Sequence, residues 1–200
     1  DAFRLPLHFF ATARQGGAEI RSFTVVVVGG SQGARSINEA FVEALTILNK
    51  RNKPCRVIHQ TGELGYQEIA ALYKEKGLEG EVTPFIHDMA GAYREADLVV
   101  SRAGAGAVFE MAAMGKPSLL IPYPFAANRH QETNAQVLVE AGAAEMILQE
   151  NLTGEVLADR IMNYMENRAA LERMGQAAKR VSKPDAAQRI ADLLLELVQS

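Results

Sequence analysis

The stretch that decides the fold is Phe23-Thr24-Val25-Val26-Val27-Val28-Gly29-Gly30-Ser31-Gln32-Gly33-Ala34-Arg35. Its first six residues are almost wholly apolar and rich in β-branched side chains. Such a run suits a strand buried on both faces of a parallel sheet. Gly29 and Gly30 end it. Ser36 to Asn49 then carries Ile37, Phe41, Leu45 and Leu48 at helical spacing. A buried strand, a Gly-rich turn and an amphipathic helix together begin a strand–helix–strand unit.

Working outward, the alternation repeats. Strands are predicted over Arg56–Gln60, Glu81–Ile86, Asp97–Ser101, Pro117–Ile121 and Ala144–Leu148. Helices are predicted over Leu64–Lys76, Met89–Glu95, Ala105–Met114 and Gln131–Glu140. Strand and helix in alternation imply an α/β fold with a doubly wound parallel sheet. The tail changes character, because Thr153–Glu166, Ala169–Val181 and Asp185–Val198 read as three helices with no strand between them. Thr153 suits an N-cap, and Pro184 marks the break before the last helix. Residues 1–22 show no clear period and form a lead-in or interdomain segment, so residues 23–200 are the domain.

The chain has 200 residues, enough for one domain with a sizeable core. A hydrophobic share of 48% fits a globular protein, and a formal charge of -3 argues against nucleic acid as a partner. The single cysteine, Cys55, rules out an intrachain disulfide and fits a reducing compartment. It is expected on a strand as a small core residue. No apolar run approaches the length needed to cross a bilayer. The apolar segment Leu5 to Ala11 is short and contains Pro6 and His8, unlike a signal peptide. A start at Asp1 leads to the expectation that part of the natural protein lies outside this sequence. The four histidines, His8, His59, His87 and His130, are dispersed, with no ligand spacing for zinc. The basic group Lys50, Arg51, Lys53 and Arg56 reads as a solvated helix end.

In open α/β sheets, ligands bind beyond the carboxyl ends of the strands. Four loops qualify. Gly29 to Arg35 opens a helix whose free N–H groups favour phosphate, or is an ordinary tight turn. It matches neither the Walker loop nor the G-x-G-x-x-G fingerprint. Ser101-Arg102-Ala103-Gly104-Ala105-Gly106-Ala107 leaves room for a diphosphate at a second helix start. Glu110, about one and a half turns further on, either accepts both hydroxyls of a ribose or complements the helix dipole. Ile121 to Gln131 is stiffened by Pro122 and Pro124. It crowds Asn128, His130, Gln131 and then Asn134 at the next helix start, as sugar binding or as capping by Asn128. Pro84 to Met89 offers backbone groups and an apolar wall, Phe85 or Ile86, to a base, with Asp88 as a helix cap.

These loops carry a resemblance. GGSQGARSIN, IHQTG from Ile58 to Gly62, PFIHDMAGAYREADLVVSRAGAGAVFEMAAMGKPSLLIPYP and NRHQETNAQVLVEAGAA resemble the C-terminal domain of the MurG family. These are the bacterial UDP-N-acetylglucosamine–N-acetylmuramyl-(pentapeptide) pyrophosphoryl-undecaprenol N-acetylglucosamine transferases. The likeness runs from about Phe23 to the end. It implies one Rossmann-like half of a GT-B glycosyltransferase in peptidoglycan synthesis, the half that holds UDP-N-acetylglucosamine. The lipid-linked acceptor and the catalytic base are then expected on an N-terminal domain absent from this sequence. The resemblance places Ile86 at the uracil through its backbone and Glu110 at the ribose. It puts Ser31 and Gln32 near the diphosphate with the backbone of Ala105, Gly106 and Ala107. His130, Gln131 and Asn134 fall at the sugar, and Arg4 near the domain junction. The family often has threonine where this chain has Ala107, so only an N–H remains there, and Gly106 loosens that helix start.

The implied reaction inverts the sugar carbon and releases UDP, with no cofactor and no obligatory metal. It implies a place at the inner face of the bacterial membrane for the full-length enzyme and an inactive isolated half. Two other readings share these features. One is a different UDP-sugar enzyme, such as a UDP-N-acetylglucosamine 2-epimerase or a glycolipid synthase. The other is the non-catalytic half of a split transferase, whose partner chain supplies the rest.

Overall fold

The computed structural model describes residues 22–30 and 34–199. Six strands form one parallel sheet in the order β3-β2-β1-β4-β5-β6. They are β1 (Thr24–Val28), β2 (Arg56–Gln60), β3 (Glu81–Thr83), β4 (Leu98–Ser101), β5 (Ser118–Leu120) and β6 (Ala144–Met146). The helices are α1 (Arg35–Lys50), α2 (Tyr66–Glu75), α3 (Met89–Glu95), α4 (Ala105–Ala113), α5 (His130–Glu140), α6 (Gly154–Glu166), α7 (Arg168–Val181) and α8 (Ala186–Gln199). The predicted doubly wound α/β sheet and the three C-terminal helices are all present.

The apolar run of β1 is buried along its whole length because each face meets a different helical layer. Val25 and Val27 join Ile37, Phe41, Leu45 and Leu48 of α1 and Leu157 and Ile161 of α6 on one side. Val26 and Val28 join Val108 and Met111 of α4 and Leu138 of α5 on the other. Each large side chain so buried contributes roughly 1.5–3 kcal/mol relative to exposure. Helix α7 serves both layers, with Leu171 and Met174 on the first and Ala177 and Ala178 on the second.

Strand register brings the carboxyl ends level. Gln60 pairs with Thr83 and Val28, Val28 with Ser101, Ser101 with Leu120, and Leu120 with Met146. The order of connection reverses between β1 and β4. That is the topological switch point, where an open α/β sheet leaves a crevice.

Several boundaries depart from the sequence reading. β3 stops at Thr83, three residues before Ile86, because Pro84 has no N–H for the ladder. The Thr83 hydroxyl instead donates to the Phe85 carbonyl, 2.9 Å away. β5 and β6 are likewise shorter than predicted. α2 begins at Tyr66, and Leu64 stands outside it, 87% exposed. Asn128 does not cap α5, since it and Arg129 both take left-handed backbone at φ 51° and 52°. Cys55 is buried as expected but precedes β2 rather than lying on it. The basic group after α1 is no free solvated end. Arg51 pairs with Glu155 and Asp159, Lys53 with Glu166, and Arg56 with Glu95. Two caps match: Thr153 Oγ1 accepts the Val156 N–H, and Asp88 Oδ1 the Gly91 N–H.

Candidate functional site

A cavity of 830 Å³ opens at the switch point. Its walls come from the end of β1 and the turn after it (Val28, Gly29, Gly30, Ala34), the first turns of α1 (Ser36 and the ion-paired Arg35 and Glu39), the loop after β4 (Ser101, Arg102, Gly104, Ala107), and Leu64, Tyr123, Gln131 and Gln149. The turn after β1 has steric reasons for its glycines. A Cβ on Gly29 would stand 2.9 Å from the Ala34 nitrogen, and Gly30 sits at φ +81°. Only a residue without a side chain passes there unstrained.

Two helix N-termini reach this cavity, those of α1 and α4. Neither is capped by a side chain of its N-cap residue, Ala34 or Gly104, and neither has an acidic residue in its first turn. By contrast α3, α6 and α7 each carry a side-chain cap, from Asp88, Thr153 and Asn167. The first N–H groups of a helix have no partner inside it, and the helix dipole adds about half a positive charge there. Two such ends on one crevice turn N–H donors and positive dipole ends toward it, an arrangement that favours negative charge.

Arg102 adds a full charge that the sequence reading gave no role. It is half-buried, and one terminal nitrogen donates to the carbonyls of Ile121 and Pro122, each at 3.1 Å. The other donates to Ser36 Oγ at 3.0 Å and Gln149 Oε1 at 2.7 Å. The guanidinium carbon lies 5.4 Å from the centroid of the Tyr123 ring. Burial lowers the Arg102 pKa from the usual arginine value, yet a guanidinium remains charged throughout the range of protein chemistry.

Of the predicted site residues, Ala107 and Gln131 line the cavity; Ile86, Ala105, Gly106, Glu110, His130 and Asn134 stand outside its lining. Ser31, Gln32 and Arg4 lie outside the described residues. The remaining side chains show what each has left to offer. Gln131 Oε1 accepts the Tyr123 N–H at 3.0 Å, which commits its oxygen and leaves its amide N–H groups as donors. Asn134 Nδ2 donates to the Ala103 carbonyl at 3.0 Å, leaving its oxygen. His130 Nδ1 lies 2.8 Å from the Ala127 carbonyl, so Nδ1 donates there and Nε2 is left for other contacts. Gln131 and Asn134 therefore also brace the loops after β5 and β4. Glu110 is exposed and meets only the edge of hydrogen-bond range, with the Tyr93 hydroxyl at 3.5 Å from Oε2. The Ile86 N–H is already taken, because Gln60 Oε1 accepts it at 3.0 Å.

The sequence contained one signal for Arg102, a lone arginine directly after a buried strand in a loop of small residues. It contained none for Ser36 or Gln149, which reach Arg102 from 66 and 47 residues away. Among the described residues, no group of three or more His, Cys, Asp or Glu side chains is placed to hold a metal ion.

Comparison with known proteins is consistent with this geometry. The model of the glycosyltransferase family 28 C-terminal domain matches residues 24–190. A UDP-N-acetylglucosamine--N-acetylmuramyl-(pentapeptide) pyrophosphoryl-undecaprenol N-acetylglucosamine transferase from Trichlorobacter lovleyi is 44% identical over 182 residues, 90% of this chain and 48% of that relative. The crystal structure of Acinetobacter baumannii MurG is similar with a TM-score of 0.80 and 37% identity, over 88% of this chain and 50% of that one. A UDP-GlcNAc 2-epimerase from Neisseria meningitidis, solved with UDP-GlcNAc, shares the fold at a TM-score of 0.62 but is only 12% identical, over 88% of this chain and 44% of that one. The chain spans about half the length of the curated relatives it matches.

Proposed function

Since the chain belongs to the family of glycosyltransferase family 28 C-terminal domains, we propose that it is the donor-binding half of an inverting N-acetylglucosamine transferase of peptidoglycan synthesis. The observation that carries this reading is the convergence of the α1 and α4 N-termini, both without side-chain caps, on the 830 Å³ crevice between β1 and β4. UDP-N-acetylglucosamine is the ligand. Its diphosphate lies across the two helix starts, against the backbone of Ala105, Gly106 and Ala107, with Ser31 and Gln32 as candidate contacts to it. The base lies toward Ile86, the ribose at Glu110, and the sugar at His130, Gln131 and Asn134.

Chemistry follows from what this half can stabilise. As an acceptor hydroxyl attacks the sugar carbon from the opposite face, the bond to the diphosphate oxygen breaks and negative charge collects on UDP. Fixed N–H dipoles aimed at that charge favour the transition state over the ground state. The acceptor is a lipid-linked muramyl peptide held by the N-terminal domain, which also supplies the base that takes its hydroxyl proton. The complete enzyme works at the cytoplasmic face of the bacterial membrane. In this chain, no helix among the described residues is long and apolar enough to cross it. Identity separates this reading from an epimerase, at 44% for the transferase against 12% for the epimerase.

The test is thermal unfolding with UDP, UDP-N-acetylglucosamine, AMP and NAD. A ligand at about 100 times its dissociation constant stabilises by about 2.7 kcal/mol. UDP and the UDP-sugar are expected to raise Tm, and AMP and NAD to leave it unchanged. An equal shift with NAD would overturn the assignment. A second check is transfer to a lipid-linked acceptor, which the purified chain alone is not expected to catalyse.

A further inference from the structure

We infer that Arg102 is the positioning residue of the diphosphate subsite, a fixed cation that sets the phosphate dependence of nucleotide binding while tying together the loops that form the site. This rests on the donor-site reading above and deepens it.

The bonding pattern is the first argument. Arg35, Arg56 and Arg168 each meet a carboxylate, Glu39, Glu95 and Asp97. The four hydrogen bonds of Arg102 all go to neutral oxygens: two backbone carbonyls, a hydroxyl and an amide. Those acceptors orient the guanidinium without cancelling its charge. A half-buried ion held that way is costly unless an anion shares its site.

Position is the second argument. Arg102 follows Ser101, which is level with Val28 across the switch point; it lines the crevice there, and its guanidinium reaches the first turn of α1 at Ser36. The contacts of its guanidinium span the sheet. They join the end of β4 to the end of β5 at Ile121 and Pro122, to the first turn of α1 at Ser36, and to the short turn Gln149–Asn151 beyond β6. Ser36 and Gln149 also bond to each other at 3.0 Å, which closes a triangle with the guanidinium. A cation fixed in a crevice of low-dielectric walls acts on an anion several ångströms away without touching it. Loss of Arg102 therefore has two separable consequences. Loosened loops weaken every ligand alike, whereas the lost charge weakens ligands in proportion to their phosphates.

The experiment compares UDP, UMP and uridine on the 200-residue chain, with UDP read by calorimetry and the weaker ligands by competition against it. The variants are Arg102→Gln and Arg102→Met, two neutral replacements of different polarity, and Arg102→Lys, which restores charge without the planar fork. Folding of each is checked by circular dichroism. The expected result is a fall of about tenfold or more in the ratio of UDP to uridine affinity in whichever neutral variant folds, a smaller fall for UMP, and recovery of the ratio in Arg102→Lys. Equal losses for all three ligands in the neutral variants would show that Arg102 only braces the fold and would overturn the proposal while leaving the donor site standing. A wild-type chain that is folded but binds neither UDP nor UMP would remove the donor-site reading itself, and this proposal with it.

Discussion

Gln60 Oε1 accepts the backbone N–H of Ile86 at 3.0 Å, and this bond fixes what the loop after β3 can present to a base. Gln60 is 3% exposed and closes β2, so its side chain is held by the sheet. With the N–H satisfied, the Ile86 carbonyl is the peptide's remaining hydrogen-bonding group, and it can only accept. A base read there must bring a donor, as uracil does through N3–H. We predict that UDP methylated at N3 binds at least about tenfold more weakly than UDP, the worth of one hydrogen bond with its desolvation. Gln60→Leu should weaken UDP as well, because the loop loses its tether and the Ile86 N–H its partner. Equal binding of the methylated and parent nucleotides would place the base elsewhere.

Glu110 is expected to act on the ribose. Tyr93 lies beneath it, its pKa pushed upward by burial and by the Glu110 carboxylate, so the hydroxyl keeps its proton and can only steady that carboxylate from one side. Glu110→Ala should cost about 1.5–3 kcal/mol of UDP binding, the range for a hydrogen bond to a charged group. Glu63→Ala and Glu166→Ala should cost far less. 2′-Deoxy-UDP should bind more weakly than UDP to the wild type and nearly equally to the mutant, since the hydroxyl's acceptor is gone. If the wild type treats the two ligands alike, Glu110 merely complements the α4 dipole.

Ser118 offers a contrasting prediction. It opens β5, pairs with Val99 and Ala144, is 0% exposed, and its hydroxyl has no hydrogen-bond partner among the described residues. A buried hydroxyl without a partner costs about 1–3 kcal/mol relative to water. Ser118→Ala removes that cost and leaves only a small void. Urea unfolding should show an unchanged or higher midpoint, by up to about 1 kcal/mol. UDP affinity should not change, because Ser118 begins the strand at the end away from the crevice. A clear loss of stability would mean that the hydroxyl has a partner.

The strands and their loops were legible in the sequence because burial on both faces leaves a compositional mark. Val25 to Val28 carry that mark in full, and Gly29 and Gly30 mark the turn that ends the strand. Boundaries were harder where a single atom decides, as at Pro84, whose missing N–H ends β3 before the apolar run ends. Left-handed backbone at Asn128 and Arg129 left no trace, since neither residue type demands it. Long-range polar geometry was least legible. Nothing in the spacing of Ser36, Arg102 and Gln149 announces that they meet, nor that Gln60 reaches Ile86. Parallel pairing brings such residues together only after the sheet has formed.

His59 makes stability depend on pH. Its ring is 0% exposed, with Nε2 3.1 Å from Asn38 Oδ1 and Nδ1 3.1 Å from the Tyr73 hydroxyl. Asn38 Nδ2 donates to the Thr61 carbonyl, so Oδ1 must accept, and the ring proton sits on Nε2. Nδ1 then accepts from Tyr73, whose proton is held by a pKa raised through burial. Every member of the chain is neutral. A second ring proton would bury a charge, and burial lowers the His59 pKa to about 3. An unfolded histidine titrates near 6.5. Well above that value neither state takes the proton. Between about 6.5 and about 3 the unfolded chain binds a proton that the folded chain refuses. Stability therefore falls with decreasing pH by about 1.4 kcal/mol per unit, and the loss is complete once both states are protonated. Between pH 7 and pH 5, above the ordinary carboxylate range, the expected loss is about 2 kcal/mol. His59→Gln retains a hydrogen-bonding side chain without the titration, so its urea midpoint should be lower at pH 7 but flatter down to pH 5. Parallel slopes for wild type and mutant would assign the pH dependence to another group.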